Sequence, residues 1–192
     1  MAAALLATAA PPVFSQAIEK RVAPCYACHG GNGHSQTPLV PSIGGQPSFF
    51  VVAQLFLFRD GRRGGAAPGM VEAAKPLTND DLRALGDFIA RLPPPPPPAS
   101  KPDPARMARG AALAREHHCA ACHNPDYSGR EQMPRLAQQR EDYLLKTLRD
   151  YKSGARLAYG RGMEEIVAVL RDAEFADLAH YLAHFPAAAR RP

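Results

Sequence analysis

Residues 25–34 read CYACHGGNGH, a C-x-x-C pair followed at once by His29. The same pentapeptide pattern returns as CAACH at 119–123, ending in His123. These two copies hold all four cysteines of the 192-residue chain. A C-x-x-C pair alone suits a redox disulfide or half of a zinc site. The adjoining histidine points elsewhere. In C-x-x-C-H, two thiols add across the vinyl groups of a haem, and the histidine is held beneath the iron as its proximal ligand. Cys25, Cys28, Cys119 and Cys122 are therefore expected on two covalent haem c groups, with His29 and His123 as axial ligands. A four-cysteine zinc site would have to bring both halves together and would leave the repeated histidine unexplained. A thioredoxin-like site needs a βαβ context that this sequence lacks.

The repeat extends far beyond the pentapeptide. Cys25 falls on Cys119 at a shift of 94 residues; after one deletion the shift is 93 and holds. Pro41 then meets Pro134, Gln46 meets Gln139, Phe50 meets Tyr143, Phe58 meets Tyr151, Arg63 meets Arg156 and Met70 meets Met163. Leu77, Leu82, Leu85, Phe88, Ile89 and Leu92 meet Leu170, Phe175, Leu178, Tyr181, Leu182 and Phe185. Self-similarity of this length means two copies of one fold.

A methionine thioether closes the sixth position of a haem iron and raises its potential, which suits electron transfer. Met70 and Met163 hold the same repeat position, each directly after a glycine (Gly69, Gly162), in a stretch read as a loop before the last helix. They are the expected sixth ligands. Met133 aligns with Val40, and Met107 precedes the second motif on a helix face; packing explains both. The repeated Arg63 and Arg156 are either partners of a haem carboxylate or solvated loop cations. His34 has no counterpart and reads as a loop residue. His117 and His118 precede Cys119 and suit a haem edge or the surface. His180 and His184 stand one turn apart, but Asp87 and Arg91 replace them in the first copy, so solvent exposure is expected.

Each copy reads as three helices: 15–26, 48–60 and 79–91, then 104–117, 140–152 and 172–184. Thr78 suits the start of the third, with acidic residues behind it. No β-alternation is convincing. A copy of about 75 residues is marginal for a core of its own, so something must fill its centre. Between the copies runs PPPPPPASKPDP, 93–104, which favours a polyproline II spacer. The expected division is a leader at 1–17, a first domain at 18–92, the linker at 93–104 and a second domain at 105–192.

Net charge is +5, mild and evenly spread, which gives no case for nucleic acid. The apolar start ends in Ser15-Gln16-Ala17, a small-x-small pattern like a signal-peptide cleavage site, although no basic region precedes it. It is too short and Pro-broken to span a bilayer. Export as a soluble protein is expected; peripheral association with a membrane surface stays open.

CYACHGGNGHS, PSIGGQ, GRRGG, Met70 and a Leu-rich last helix resemble a class I cytochrome c domain. CAACH, PRLAQQ, YKSGAR and Met163 resemble another. Two in tandem are similar to the diheme cytochromes of the c-four family. The resemblance implies an all-α pair of domains, each wrapped around its haem, and backbone carbonyls of Pro41 and Pro134 accepting from His29 and His123. It implies a periplasmic electron carrier between quinol:cytochrome c oxidoreductase and a terminal oxidase, not an enzyme. The alternatives are an electron-accepting subunit of a periplasmic dehydrogenase and, with less support, a diheme peroxidase. The sequence departs from the family pattern where 124–129 replaces a Gly-rich turn, where Gln138 takes the place of a glycine, and in its Pro-rich linker.

Overall fold

The computed structural model describes residues 13–63, 67–156 and 162–186. Residues 1–12, most of the expected leader, lie outside them. Among the described residues there are ten α-helices, two short 3-10 turns and no strand. In the first copy these are α1 (Val13–Val22), α2 (Tyr26–His29), α3 (Ser48–Arg59), α4 (Pro68–Ala74) and α5 (Asn79–Arg91). In the second they are α6 (Pro104–Glu116), α7 (Cys119–His123), α8 (Glu141–Ser153), α9 (Gly162–Ala168) and α10 (Asp172–Ala183). No described helix is long and apolar enough to cross a membrane.

The packing repeats with the sequence. In the first copy α5 lies against α1 and α3, and α4 against α3; in the second α10 lies against α6 and α8, and α9 against α8. Local signals set the long helices. The Thr78 hydroxyl accepts from Asp81 N–H at 3.1 Å while the Asp81 carboxylate accepts from Thr78 N–H at 2.8 Å, a reciprocal cap at the start of α5. Arg21 of α1 donates to the same carboxylate at 2.9 Å, so the cap also ties two helices. Asp103 caps α6 through Ala105 and Arg106 N–H, with Pro104 at the first helical position, where no N–H is needed. Gly154, at φ 76°, ends α8 in the left-handed conformation.

The last helix of each copy buries one stripe. Leu82, Leu85 and Ile89 of α5 are buried, as are Phe175, Leu178, Ala179, Leu182 and Ala183 of α10. Among the described residues, the second copy builds a continuous cluster from Ala114 through Tyr127, Leu144 and Val167 to Ala183, and the first gathers Ile18, Val22 and Leu85 around α1. The linker docks rather than floats. Pro95 is buried, the Pro93 carbonyl lies 2.9 Å from His34 Nε2, and Asp103 N–H donates to His180 Nε2 at 2.9 Å. One histidine of each copy thus holds one end of the Pro-rich strap.

Two expectations change. Met70 and Met163 lie on α4 and α9, not in loops; at seven residues each, these helices are too short to leave a readable periodic stripe. His180 is buried rather than exposed, 5% accessible, because its ring is pinned between Asp103 N–H and the Glu141 carboxylate at 2.8 Å.

Candidate functional site

Each pentapeptide folds as a single turn of helix that ends on its histidine. The chain then leaves through a residue of positive φ: Gly30 at φ 73°, ψ 165°, and Asn124 at φ 69°, ψ 157°. The two backbones match, although one residue is glycine. Asn124 holds the strained form through its side-chain amide, which donates to Ser128 Oγ at 3.0 Å and to the Gly129 carbonyl at 2.9 Å. Gln138 likewise takes φ 59°, in the place of Gly45 at φ 69°. The backbone N–H groups of Gly45 and Gln138 donate to the equivalent carbonyls of Ile89 and Leu182.

His29 and His123 are buried, 6% and 4% accessible. His29 Nδ1 lies 2.8 Å from the Pro41 carbonyl, and His123 Nδ1 2.9 Å from that of Pro134. A carbonyl only accepts, so each Nδ1 carries the proton and each Nε2 keeps its lone pair. Burial pushes the basicity of both rings down, against a smaller upward pull from the proline carbonyl. Both rings are thus neutral with Nε2 available to a metal. None of the four cysteines is disulfide-bonded; Cys25 and Cys119 are half-buried, Cys28 and Cys122 exposed. Burial pushes the Cys25 and Cys119 thiols up. Met70 and Met163 are half-buried. Met163 packs on the second core cluster, which also touches Cys119 and Ala120.

Arg63 and Arg156 are not solvated loop cations. They are 8% and 3% accessible, and each guanidinium lies over an aromatic ring of its own copy: Arg63 over Phe58 at 4.4 Å, Arg156 over Tyr151 at 4.8 Å. They meet between the copies, where both donate to the Tyr143 hydroxyl at 3.1 Å. Burial pushes that hydroxyl's pKa up, but the two guanidiniums pull harder and bring it down to about 7. The Nε atoms of both arginines are buried without a partner among the described residues. Two buried cations with unmet donors call for anions beside them, and a haem carries two carboxylates. The arginines and the neutral histidines both fit that group.

Of the remaining histidines, His118 is exposed and takes φ 51° at the hinge between α6 and α7, and His117 ends α6. Glu141, His180 and His184 bring ligand-type atoms within 4.8 Å of one another. Both His180 nitrogens are already engaged by protein groups, which makes this cluster a structural clasp.

The cytochrome c family profile matches residues 107–186. The chain is 32% identical to a cytochrome c4 of Thiocapsa roseopersicina over 169 residues, 82% of this chain and 85% of that protein. It is also 32% identical to a thiosulfate dehydrogenase electron acceptor of Thiomonas intermedia, over 92% of this chain and 85% of the relative. The crystal structure of reduced cytochrome c4 from Pseudomonas stutzeri superposes with a TM-score of 0.76 at 27% identity, covering 89% of this chain and 98% of that one. The chain therefore belongs to the cytochrome c family as a diheme member of the cytochrome c4 type, an electron carrier with two covalently bound haem c groups.

Proposed function

We propose that the chain is a periplasmic shuttle that takes electrons from quinol:cytochrome c oxidoreductase and passes them to a terminal oxidase. Residues 18–92 and 105–192 form its two redox domains, with 1–17 removed on export. In each domain the two cysteines anchor the macrocycle, at Cys25 and Cys28 and at Cys119 and Cys122. His29 with Met70, and His123 with Met163, would hold the two irons. When bound, each haem iron supplies a one-electron ferric–ferrous couple. The chain's own residues keep the geometry fixed. Pro41 and Pro134 orient the histidine rings, Met70 and Met163 exclude water and other ligands, and Arg63 and Arg156 hold the carboxylates.

The observation that carries this reading is the duplicated, neutral, carbonyl-tethered histidine. Two equivalent sites in one chain, joined through a buried polar interface, suit a carrier that receives an electron in one copy and releases it from the other. The test is expression with haem-maturation machinery, followed by oxidised and reduced absorption spectra. Low-spin spectra, with the weak far-red Met-to-iron band diminished by Met70→Ala and again by Met163→Ala, are expected. High-spin iron in the unaltered protein would overturn the closed-site reading.

A second reading has a specific support, the likeness to a thiosulfate dehydrogenase electron acceptor. In that role the chain takes electrons from a sulfur-compound dehydrogenase. Stopped-flow reduction of the oxidised protein by each donor separates the two readings, the physiological donor giving the faster, salt-sensitive rate.

A further inference from the structure

The two copies are clamped together by a pair of glutamines. Gln139 Oε1 accepts from Ser42 N–H at 2.8 Å, and its Nε2 donates to the Ser42 carbonyl at 2.7 Å. Gln46 Oε1 accepts from Arg135 N–H at 2.9 Å, and its Nε2 donates to the Arg135 carbonyl at 3.0 Å. Gln46 and Gln139 are equivalent in the repeat, and so are Ser42 and Arg135. Both glutamines are buried, 5% and 4% accessible.

The gripped residues are not arbitrary. The Ser42 N–H belongs to the same peptide group as the Pro41 carbonyl, which accepts from His29 Nδ1. The Arg135 N–H belongs to the same peptide group as the Pro134 carbonyl, which accepts from His123 Nδ1. Each glutamine therefore ends a chain of the form His Nδ1–H, carbonyl, peptide N–H, Gln Oε1, and that chain runs from one copy into the other.

We propose that Gln139 tunes the first-copy haem through His29, and Gln46 the second-copy haem through His123, each as a positioning residue acting across the interface. This rests on the proposed axial role of the two histidines. Peptide resonance links the two ends of the amide. An acceptor on the N–H raises electron density on the carbonyl oxygen, and hydrogen bonds in series strengthen one another. The stronger carbonyl draws the Nδ1 proton more firmly and makes the ring a better donor at Nε2. A better donor favours the ferric state, so an intact chain holds the potential down. Coupling is reciprocal: if docking lowers a potential, oxidation tightens docking.

The two chains are unequal. Gln139 Oε1 also accepts from Arg140 N–H at 3.0 Å. The residue after Gln46 is Pro47, which has no N–H. Gln46 thus gives its oxygen undivided to Arg135, while Gln139 divides its own between Ser42 and Arg140.

The experiment is spectroelectrochemical titration of the haem-loaded protein carrying Gln139→Leu or Gln46→Leu, with the His29 and His123 Nδ1–H resonances followed by NMR in the ferrous state. Gln139→Leu should raise the potential of the first-copy haem and move the His29 Nδ1–H resonance upfield. Gln46→Leu should do the same to the second copy. Each single variant retains the other clamp. A fall in potential, as when opening the interface lets water stabilise the ferric charge, would overturn the proposal. So would equal movement of both haems, or movement of the haem in the glutamine's own copy.

Hydrogen exchange of the Ser42 and Arg135 amides in the unaltered protein needs no substitution: slower exchange in the ferric state is expected, and equal rates in both states sink the idea. A wild-type protein without low-spin spectra removes the axial histidines and this inference with them. Low-spin spectra with unmoved potentials remove the tuning alone.

Discussion

Arg63 and Arg156, one from each copy, share both of their interfacial acceptors. Arg63 donates to Gln54 Oε1 at 2.6 Å and to the Tyr143 hydroxyl at 3.1 Å; Arg156 donates to the same two oxygens at 3.4 and 3.1 Å. Gln54 is neutral, and the Tyr143 hydroxyl, brought down to about 7, supplies at most one negative charge, so two buried guanidiniums still lack a full counter-charge, an arrangement that favours further anions nearby. The proposed haem carboxylates meet that need. Arg156→Met in the haem-loaded protein is therefore expected to cost about 3 kcal/mol of stability and to lower the haem potentials, because a cation near the iron disfavours the ferric charge. Denaturant titration and potentiometry read the two effects. An unchanged stability and unchanged potentials would place the carboxylates elsewhere. Arg156→Lys should rescue only in part, since an ammonium cannot reproduce the planar fork.

Glu141 sets an acid limit on the second copy. Its carboxylate accepts from Arg106 at 2.7 Å and from His180 Nδ1 at 2.8 Å. Burial pushes its pKa up, but those two bonds and the Arg106 charge outweigh it, and the net shift is downward. A carboxyl with a lowered folded pKa contributes stability above its ordinary value and loses it as pH falls through the folded one. The side chain is 36% accessible, so solvent screening trims the contribution to about 1 kcal/mol. Glu141→Gln should be less stable by that amount at pH 7 and indistinguishable from the parent only at about pH 2, below both the unfolded and the lowered folded pKa. Paired urea melts at the two pH values check it, and a constant difference would disprove the charge dependence.

Gly110 lets α6 and α10 cross in close contact. A Cβ there would meet the Asp177 carbonyl oxygen at 2.4 Å and Tyr181 Cβ at 2.4 Å. The first is backbone and cannot step aside without moving α10. Gly110→Ala would gain helix propensity of about 1 kcal/mol, while overpacking costs about 1–3 kcal/mol. With two contacts this short the loss wins, and we expect net destabilisation of about 1–2 kcal/mol with a visible change in the near-UV spectrum. Gly154→Ala meets no such neighbour, and its cost should come from the positive φ alone.

Much of this architecture is legible because the chain carries its own comparison. A periodic stripe that recurs in register fixed α5 at 79–91 and placed α10 to within a residue. The Cys-x-x-Cys-His copies located both histidines, and the resemblance to class I cytochrome c domains pointed to the proline carbonyls they meet. What escaped reading depends on partners distant in sequence. The burial of His180 follows from Asp103, 77 residues away, and Glu141, 39 away. The glutamine clamps join residues 97 and 89 apart; the repeat marked Gln46 and Gln139 as equivalent but could not say that each grips the other's copy. Asn124 looks like a break in the Gly-rich turn, yet it keeps the same backbone because its side chain supplies what glycine's freedom would otherwise provide.

Gln138 poses a similar substitution with opposing terms. At φ 59° its backbone costs about 1 kcal/mol relative to glycine. Its side chain repays that twice: Nε2 donates to the Phe185 carbonyl at 2.8 Å, and Oε1 accepts from Arg135 Nη2 at 2.7 Å. A neutral buried bond contributes about 1 kcal/mol, one to a charged group somewhat more. Gln138→Gly should therefore destabilise by about 1 kcal/mol, strain relief offsetting part of the lost bonding. Gln138→Ala loses both bonds and keeps the strain, so about 2–3 kcal/mol is expected. The gap between the two variants in denaturant melts measures the backbone strain directly. A glycine variant more stable than the parent would mean that the bonds to Phe185 and Arg135 together contribute less than the backbone strain costs.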